Sequence, residues 1–160
     1  MEQLSTNQLE SLIRHLTRAL GERVMQTCET DISEVRQINS AKNLGLGFLR
    51  TGFDVFDAEI TWYEWPYHLF DAELLPSLVE AWIFDNSEMR DALNLTDPTY
   101  DTYRGDDDVM VVKLNIGLYR DRVIKEDNNG IILRGGMRYS LQTPEIWVAE
   151  DMDITVESRP

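Results

Sequence analysis

The sequence predicts an α+β fold, a mostly antiparallel or mixed β-sheet with two main α-helices packed on one face, in a single domain over residues 1–160. Two segments repeat apolar residues at three- and four-residue spacing, the mark of a helix with one buried stripe. Two longer segments alternate apolar with polar residues, the mark of a strand with one buried face. The order (helix, strands, helix, then mostly strands) lacks the regular alternation that builds a doubly wound parallel sheet. Each helix therefore has its apolar stripe free to cover the apolar face of the sheet.

Leu9, Leu12, Ile13, Leu16, Leu20 and Val24 lie on one stripe of a helix predicted over residues 6–26. Ser5 with Gln8 fits a capping box at its start, and Glu10 with Arg14 is an i to i+4 pair in the favoured orientation. From 29 to 43 the pattern weakens, and Gly45, Gly47 and Gly52 interrupt the next ten residues, so a connection leading into a short irregular strand is expected there. Alternation returns over 53–65, where Phe56, Ala58, Ile60 and Trp62 share one face and Asp57, Glu59 and Thr61 the other. The second helix is predicted over 71–85, with Leu74, Leu75, Leu78, Val79, Trp82 and Ile83 as its apolar face. Pro76 fits its first turn, where no intrahelical N–H is needed. A further helical turn is expected within 87–93.

Residues 97–108 hold one proline, one glycine and five aspartates, a composition that predicts an exposed loop. Val112, Leu114, Ile116 and Leu118 then alternate with Lys113, Asn115 and Gly117 in a long strand over 109–120, with 123–125 as its extension. Asn128, Asn129 and Gly130 suit positive φ and predict a reversal, with 131–133 pairing back as a hairpin. Short strands are expected at 138–141, 146–148 and 154–156.

At 160 residues the chain can bury a core without disulfide or metal. Its 29 acidic and 15 basic residues give a net charge of −14. The basic residues are scattered, so a phosphate-binding surface is disfavoured, and acidity serves solubility. Cys28 is the sole cysteine and has no histidine partner motif with His15 or His68, which makes it a small apolar residue and a reducing compartment the simpler assumption. No basic leader precedes an apolar stretch, and no run approaches the roughly 20 apolar residues of a membrane span, so a soluble cytoplasmic protein is expected.

Asp106, Asp107 and Asp108 could hold a divalent cation. Consecutive strand residues point to opposite faces, however, so a solvated loop is the stronger reading. Asp127, Asn128, Asn129 and Gly130 lack the remaining ligands of a calcium loop. Gly45 with Gly47, and Gly135 with Gly136, are too sparse for phosphate loops and suit turns or bulges. Glu150, Asp151 and Asp153 are paired carboxylates with no cleft to mark them as acid and base. Trp62, Tyr63, Trp65 and Tyr67 would suit an interface anchor, although alternating aromatics in a strand usually fill a core or sheet face.

The helix with Leu75, Pro76, Leu78, Val79, Ala81 and Trp82 comes after the aromatic-rich strand that ends at Trp65. It precedes the acidic turn at Asp106, Asp107 and Asp108 and the long strand that ends in Asp121, Arg122 and Val123. In this pattern, over residues 53–126, the chain resembles the GpR-type tail completion proteins, or tail terminators, of contractile-tailed phages. The resemblance implies a structural, non-enzymatic protein with no cofactor, assembled in the host cytoplasm and resident in the tail or neck of the virion. It also implies a homo-oligomeric, six-fold ring at the head-proximal end of the tail, which stops tube and sheath polymerisation and offers a surface to the neck connector. Genomic DNA would pass through its lumen without sequence-specific binding, and acidic walls would let it slide. Another neck or head-tail connector protein is the near alternative, and a small acidic metal-dependent enzyme the distant one. A ring needs one patch to meet a different patch on the next subunit. Trp65, Asp101, Asp106, Asp107, Asp108, Gly45 and Gly47 are the candidate subunit or tail contacts.

Overall fold

A computed structural model describes residues 8–104 and 109–142. The elements run α1 (Gln8–Leu20), α2 (Glu22–Met25), β1 (Cys28–Gly45), β2 (Phe48–Trp65), α3 (Leu74–Asn86), α4 (Arg90–Leu93), β3 (Thr99–Arg104), β4 (Met110–Glu126), β5 (Ile132–Arg134) and β6 (Met137–Leu141). Hydrogen-bonded neighbours run in the order β1-β2-β4-β6-β5, and β3 also pairs with β4. The fold is α+β, as the sequence predicts, with antiparallel pairing wherever register is defined. The chain divides into two compact units.

The helical unit comprises Gln8–Arg36 and Val55–Tyr119. Its core joins Leu12 and Leu16 of α1, Leu75, Val79 and Trp82 of α3, and the inward residues of β2 and β4. Phe56, Ala58, Ile60 and Trp62 are buried on β2, and Val112, Leu114, Ile116 and Leu118 on β4, as their alternation predicts. Two side chains lock α1 to α3. Trp82 Nε1 donates to Ser11 Oγ at 3.0 Å, and His15 Nε2, 2.9 Å from the Leu78 carbonyl, must carry the proton that bond needs.

The first helix stops at Leu20, short of the predicted end, because Gly21 takes φ 93° and its N–H closes on Thr17 O at 2.8 Å. Val24 still reaches the core, from the single turn α2. Pro76 is the third residue of α3, where the first four N–H groups have no intrahelical partner, so the helix begins without a bend. The expected turn after Ser87 is α4, closed by Asn94 at φ 57°. Its Arg90 is buried and donates to the carbonyls of Gly117 and Thr96, both at 2.6 Å.

Two of the sequence expectations change. Residues 97–108 are not all loop, because β3 pairs with β4 from Thr99 opposite Asn115 to Arg104 opposite Met110. The aspartates mask a Thr-Tyr-rich segment whose side chains favour the pleat. Likewise the weak stretch at 29–43 belongs to β1, an 18-residue strand. Nearly every β1 residue is exposed, and a strand buried on neither face has no reason to alternate.

The second unit comprises Gln37–Asp54 and the described part of Arg120–Pro160. The ends of β1 and β2 meet in it through a two-residue link, Leu46 and Gly47, which makes the pair antiparallel. The predicted reversal after β4 is present, with Gly130 N–H on Asp127 O at 2.8 Å and Asn129 N–H on the Asp127 carboxylate at 2.9 Å. The strand that returns to β4 is nevertheless β6, pairing Ile124 with Leu141, and not 131–133. Gly135 and Gly136, at φ 60° and 80°, form the two-residue turn whose twist matches a hairpin, so β5 pairs with β6 instead. The capping box at Ser5 and the strands expected at 146–148 and 154–156 lie outside the described residues.

Candidate functional site

The candidate contact residues fall in different places. Trp65, at the end of β2, is 2% exposed; its Nε1 donates to Phe70 O at 2.8 Å and its ring meets Trp62 edge-on at 5.4 Å. It is a core residue of the helical unit, with almost no surface to offer a partner. Asp101 is exposed on β3, opposite Lys113 in the ladder, while the other edge of β3 pairs with nothing among the described residues. Gly45 and Gly47 flank Leu46 at the β1–β2 turn, and all three have positive φ. Leu46 is 95% exposed at the tip. Gly45 N–H is held by the Asn43 side chain at 2.8 Å, and Gly47 O accepts from Glu126 N–H at 2.9 Å. Asp106, Asp107 and Asp108 lie outside the described residues. Thus Asp101 belongs to one unit and the two glycines to the other.

One buried ion pair was not legible from spacing. Asp54, on β2, is buried, and Arg120 Nη2 reaches its Oδ2 at 3.0 Å while Arg122 grips both oxygens, Nε to Oδ1 at 3.1 Å and Nη2 to Oδ2. Arg120 and Arg122 are two residues apart on β4 and so point to the same face. A lone aspartate between Phe53 and Val55, with such an arginine pair elsewhere on a strand, was the available signal. Asp121, between them, points the other way, and burial pushes its pKa up, with Arg50 partly opposing that. The Asp54 carboxylate is consumed in a fork with two cations, which is a structural role.

Two open clefts mark the second unit. The larger, about 600 Å³, is lined by Asn39, Ser40, Thr51, Arg122, Ile132 and Arg134, and the smaller, about 280 Å³, lies at the β1–β2 turn beside Glu126 and Tyr139. Neither places a nucleophile beside a base. In the helical unit, burial raises the Cys28 thiol to about 11, and Cys28 Sγ donates to Met25 O at 3.0 Å, so the thiolate needed for attack is suppressed. Among the described residues no group of three or more His, Cys, Asp or Glu side chains could hold a metal ion, and no helix is long and apolar enough to cross a membrane.

What the surface does offer is main chain. β1 stands at one end of the strand order and β5 at the other, each with one unpaired edge among the described residues. Sequence reasoning missed β1 because it looked for alternation; a run of 17 residues from Cys28 to Leu44 without glycine or proline, holding Thr30, Ile32, Val35 and Ile38, was the usable signal.

Such a protein has an α+β fold whose candidate site is a set of strand edges unpaired among the described residues, not a cleft with reactive groups. The chain belongs to the P2 phage tail completion protein R (GpR) family, which matches residues 6–143. It is therefore a structural protein of bacteriophage tail completion and virion assembly. An uncharacterized 19.2 kDa protein from the rep-hol intergenic region of Haemophilus phage HP1 (strain HP1c1) is 26% identical over 91 residues, 57% of this chain and 55% of that protein. The chain thus matches about half the length of that curated relative. No solved structure matches it.

Proposed function

We propose that the whole chain acts as one tail-terminator subunit, forming a closed six-membered ring at the head-proximal end of the tail. There it stops tube and sheath polymerisation and presents a surface for head-tail joining. The observation that carries this reading is β1: an 18-residue strand, exposed along almost its whole length, with an outer edge unpaired among the described residues. Long uncovered edges template pairing with another chain, and proteins that act alone shorten or block them. Ring closure uses such an edge against a different patch on the next copy. Asp101 on β3, the turn at Gly45 and Gly47, and Asp106, Asp107 and Asp108 are further proposed contacts, whereas Trp65 is buried in the core of the helical unit. Nothing in this role calls for catalysis.

Charge supports passage of DNA through the lumen. Six subunits at −14 each sum to about −84, and acidic walls repel phosphate, so DNA slides without being held. Electron microscopy of the purified protein, alone and with tail tubes, tests the reading. Rings, and caps on one end of the tubes, are expected. A protein that stays monomeric at every ionic strength and leaves tubes uncapped would overturn it, and rings that bind neck components but never tube ends would make it a connector.

A further inference from the structure

A heterologous ring interface needs two different patches, and the two ends of the strand order supply a matched pair. At one end, residues 29–34 of β1 contain Glu29, Asp31 and Glu34 with no basic residue. Glu29 is engaged by the Tyr63 hydroxyl within the helical unit, but among the described residues Asp31 and Glu34 form no ion pair and both are exposed. Ile32 and Val35, interleaved with them, are 49% and 60% exposed. At the other end, residues 130–142 hold Arg134 and Arg138 with no acidic residue, in a chain of net charge −14. Ile131 and Leu133 of that segment are 92% and 65% exposed. An acidic, partly apolar edge thus has its complement in a basic, partly apolar hairpin of the same chain.

We propose that the β5–β6 hairpin of one copy docks on the outer edge of β1 in the next, setting Arg134 and Arg138 against Asp31 and Glu34 and Leu133 against Ile32 and Val35 beside them. The proposal rests on the ring reading and specifies its interface. Like-with-like contact is disfavoured, since two β1 edges would oppose carboxylates and two hairpins would oppose guanidiniums. That bias selects the head-to-tail arrangement that a ring requires. Only three residues of β5 form a ladder edge, so main-chain bonds add register and the side chains supply most of the attraction. Fixed rows of opposite charge also raise the encounter rate and make assembly weaken as salt rises.

The test uses two charge-reversed full-length variants: Asp31→Arg with Glu34→Arg, and Arg134→Glu with Arg138→Glu. Each copy of either variant carries one sign on both patches and should repel itself, so each alone should assemble at least ten-fold more weakly than wild type by light scattering. Mixed in equal amounts they should recover assembly, because alternating copies again meet as opposites, and native mass spectrometry should find even-numbered rings with equal content of the two. Arg138 also donates to Gly130 O at 3.0 Å. If circular dichroism shows the second variant unfolded, Leu133→Glu with Arg134→Glu replaces it and leaves that bond intact. Folded variants that assemble alone as wild type does, or whose mixture stays dissociated, would overturn the proposed interface while wild-type rings keep the ring reading. Hairpin variants that form normal rings but no longer cap tubes would place the hairpin on the tube and also overturn it. A wild-type protein that never assembles, with or without tubes, would remove both.

Discussion

β1 and β2 are neighbours of equal length, 18 residues each, and they obey different rules. From Gly52 to Trp62, β2 buries all but two residues, whereas β1 has none in the buried class. The same backbone geometry therefore serves two purposes. In β2 the side chains hold the fold, and their identity is dictated by the core they enter. In β1 the strand presents its side chains to the surface, and no core dictates their identity.

The largest expected effect tests that division directly. Ile60→Ala on β2 opens a cavity in the helical unit and should cost about 3 kcal/mol. Val35→Ala on β1 should change stability by no more than about 0.5 kcal/mol in the isolated chain. Urea midpoints measured at concentrations below assembly separate the two. A Val35 variant as damaged as the Ile60 variant would show that β1 is packed within its own chain, and the contrast would collapse.

The same division explains what was legible in the sequence. Periodicity reports burial of one face, so β2, β4, α1 and α3 were readable from Ile60, Leu114, Leu16 and Val79, which all enter the core. β1 and β3 were not, since residues exposed on both faces leave no period, and the aspartates around β3 mimic a loop. Family membership was legible for the same reason, because the Leu75 to Trp82 pattern and the β4 alternation are core patterns. The candidate contacts were hard to place because an aromatic such as Trp65 has the same composition signal in a core as at an interface. Asp54 was missed because its partners lie 66 and 68 residues away, and long-range pairing leaves no local trace.

Asp54 gives the intermediate test, by contrast with an ion pair nearer to solvent. Asp54→Asn strands Arg120 and Arg122 over a buried neutral amide and should cost about 2 kcal/mol, less than a fully buried pair because both arginines are about a third or more exposed on their side chains. Lys113→Gln breaks a 3.6 Å pair with Glu59 whose side chains are 32% and 38% exposed, and should cost no more than about 0.5 kcal/mol. Denaturation of the two variants side by side decides it. Equal losses would mean that burial of the acceptor oxygens adds nothing to the Asp54 fork.

Asp121, on the opposite face of β4 from those arginines, should give the smallest shift, and one that depends on pH. Burial holds its folded-state pKa above the unfolded value, and Arg50 only partly offsets this. The folded chain therefore keeps the Asp121 proton to higher pH than the unfolded chain does. The stability this contributes is complete below the unfolded carboxylate pKa and is lost as pH rises through the folded one. Asp121→Asn cannot lose it, so its urea midpoint should improve relative to wild type across that window and stay level above it. Arg50→Gln removes a cation that favours the charged form and should widen the window upward. A midpoint difference that shrinks as pH rises would mean that the fold stabilises the Asp121 carboxylate, and that burial does not govern its ionisation.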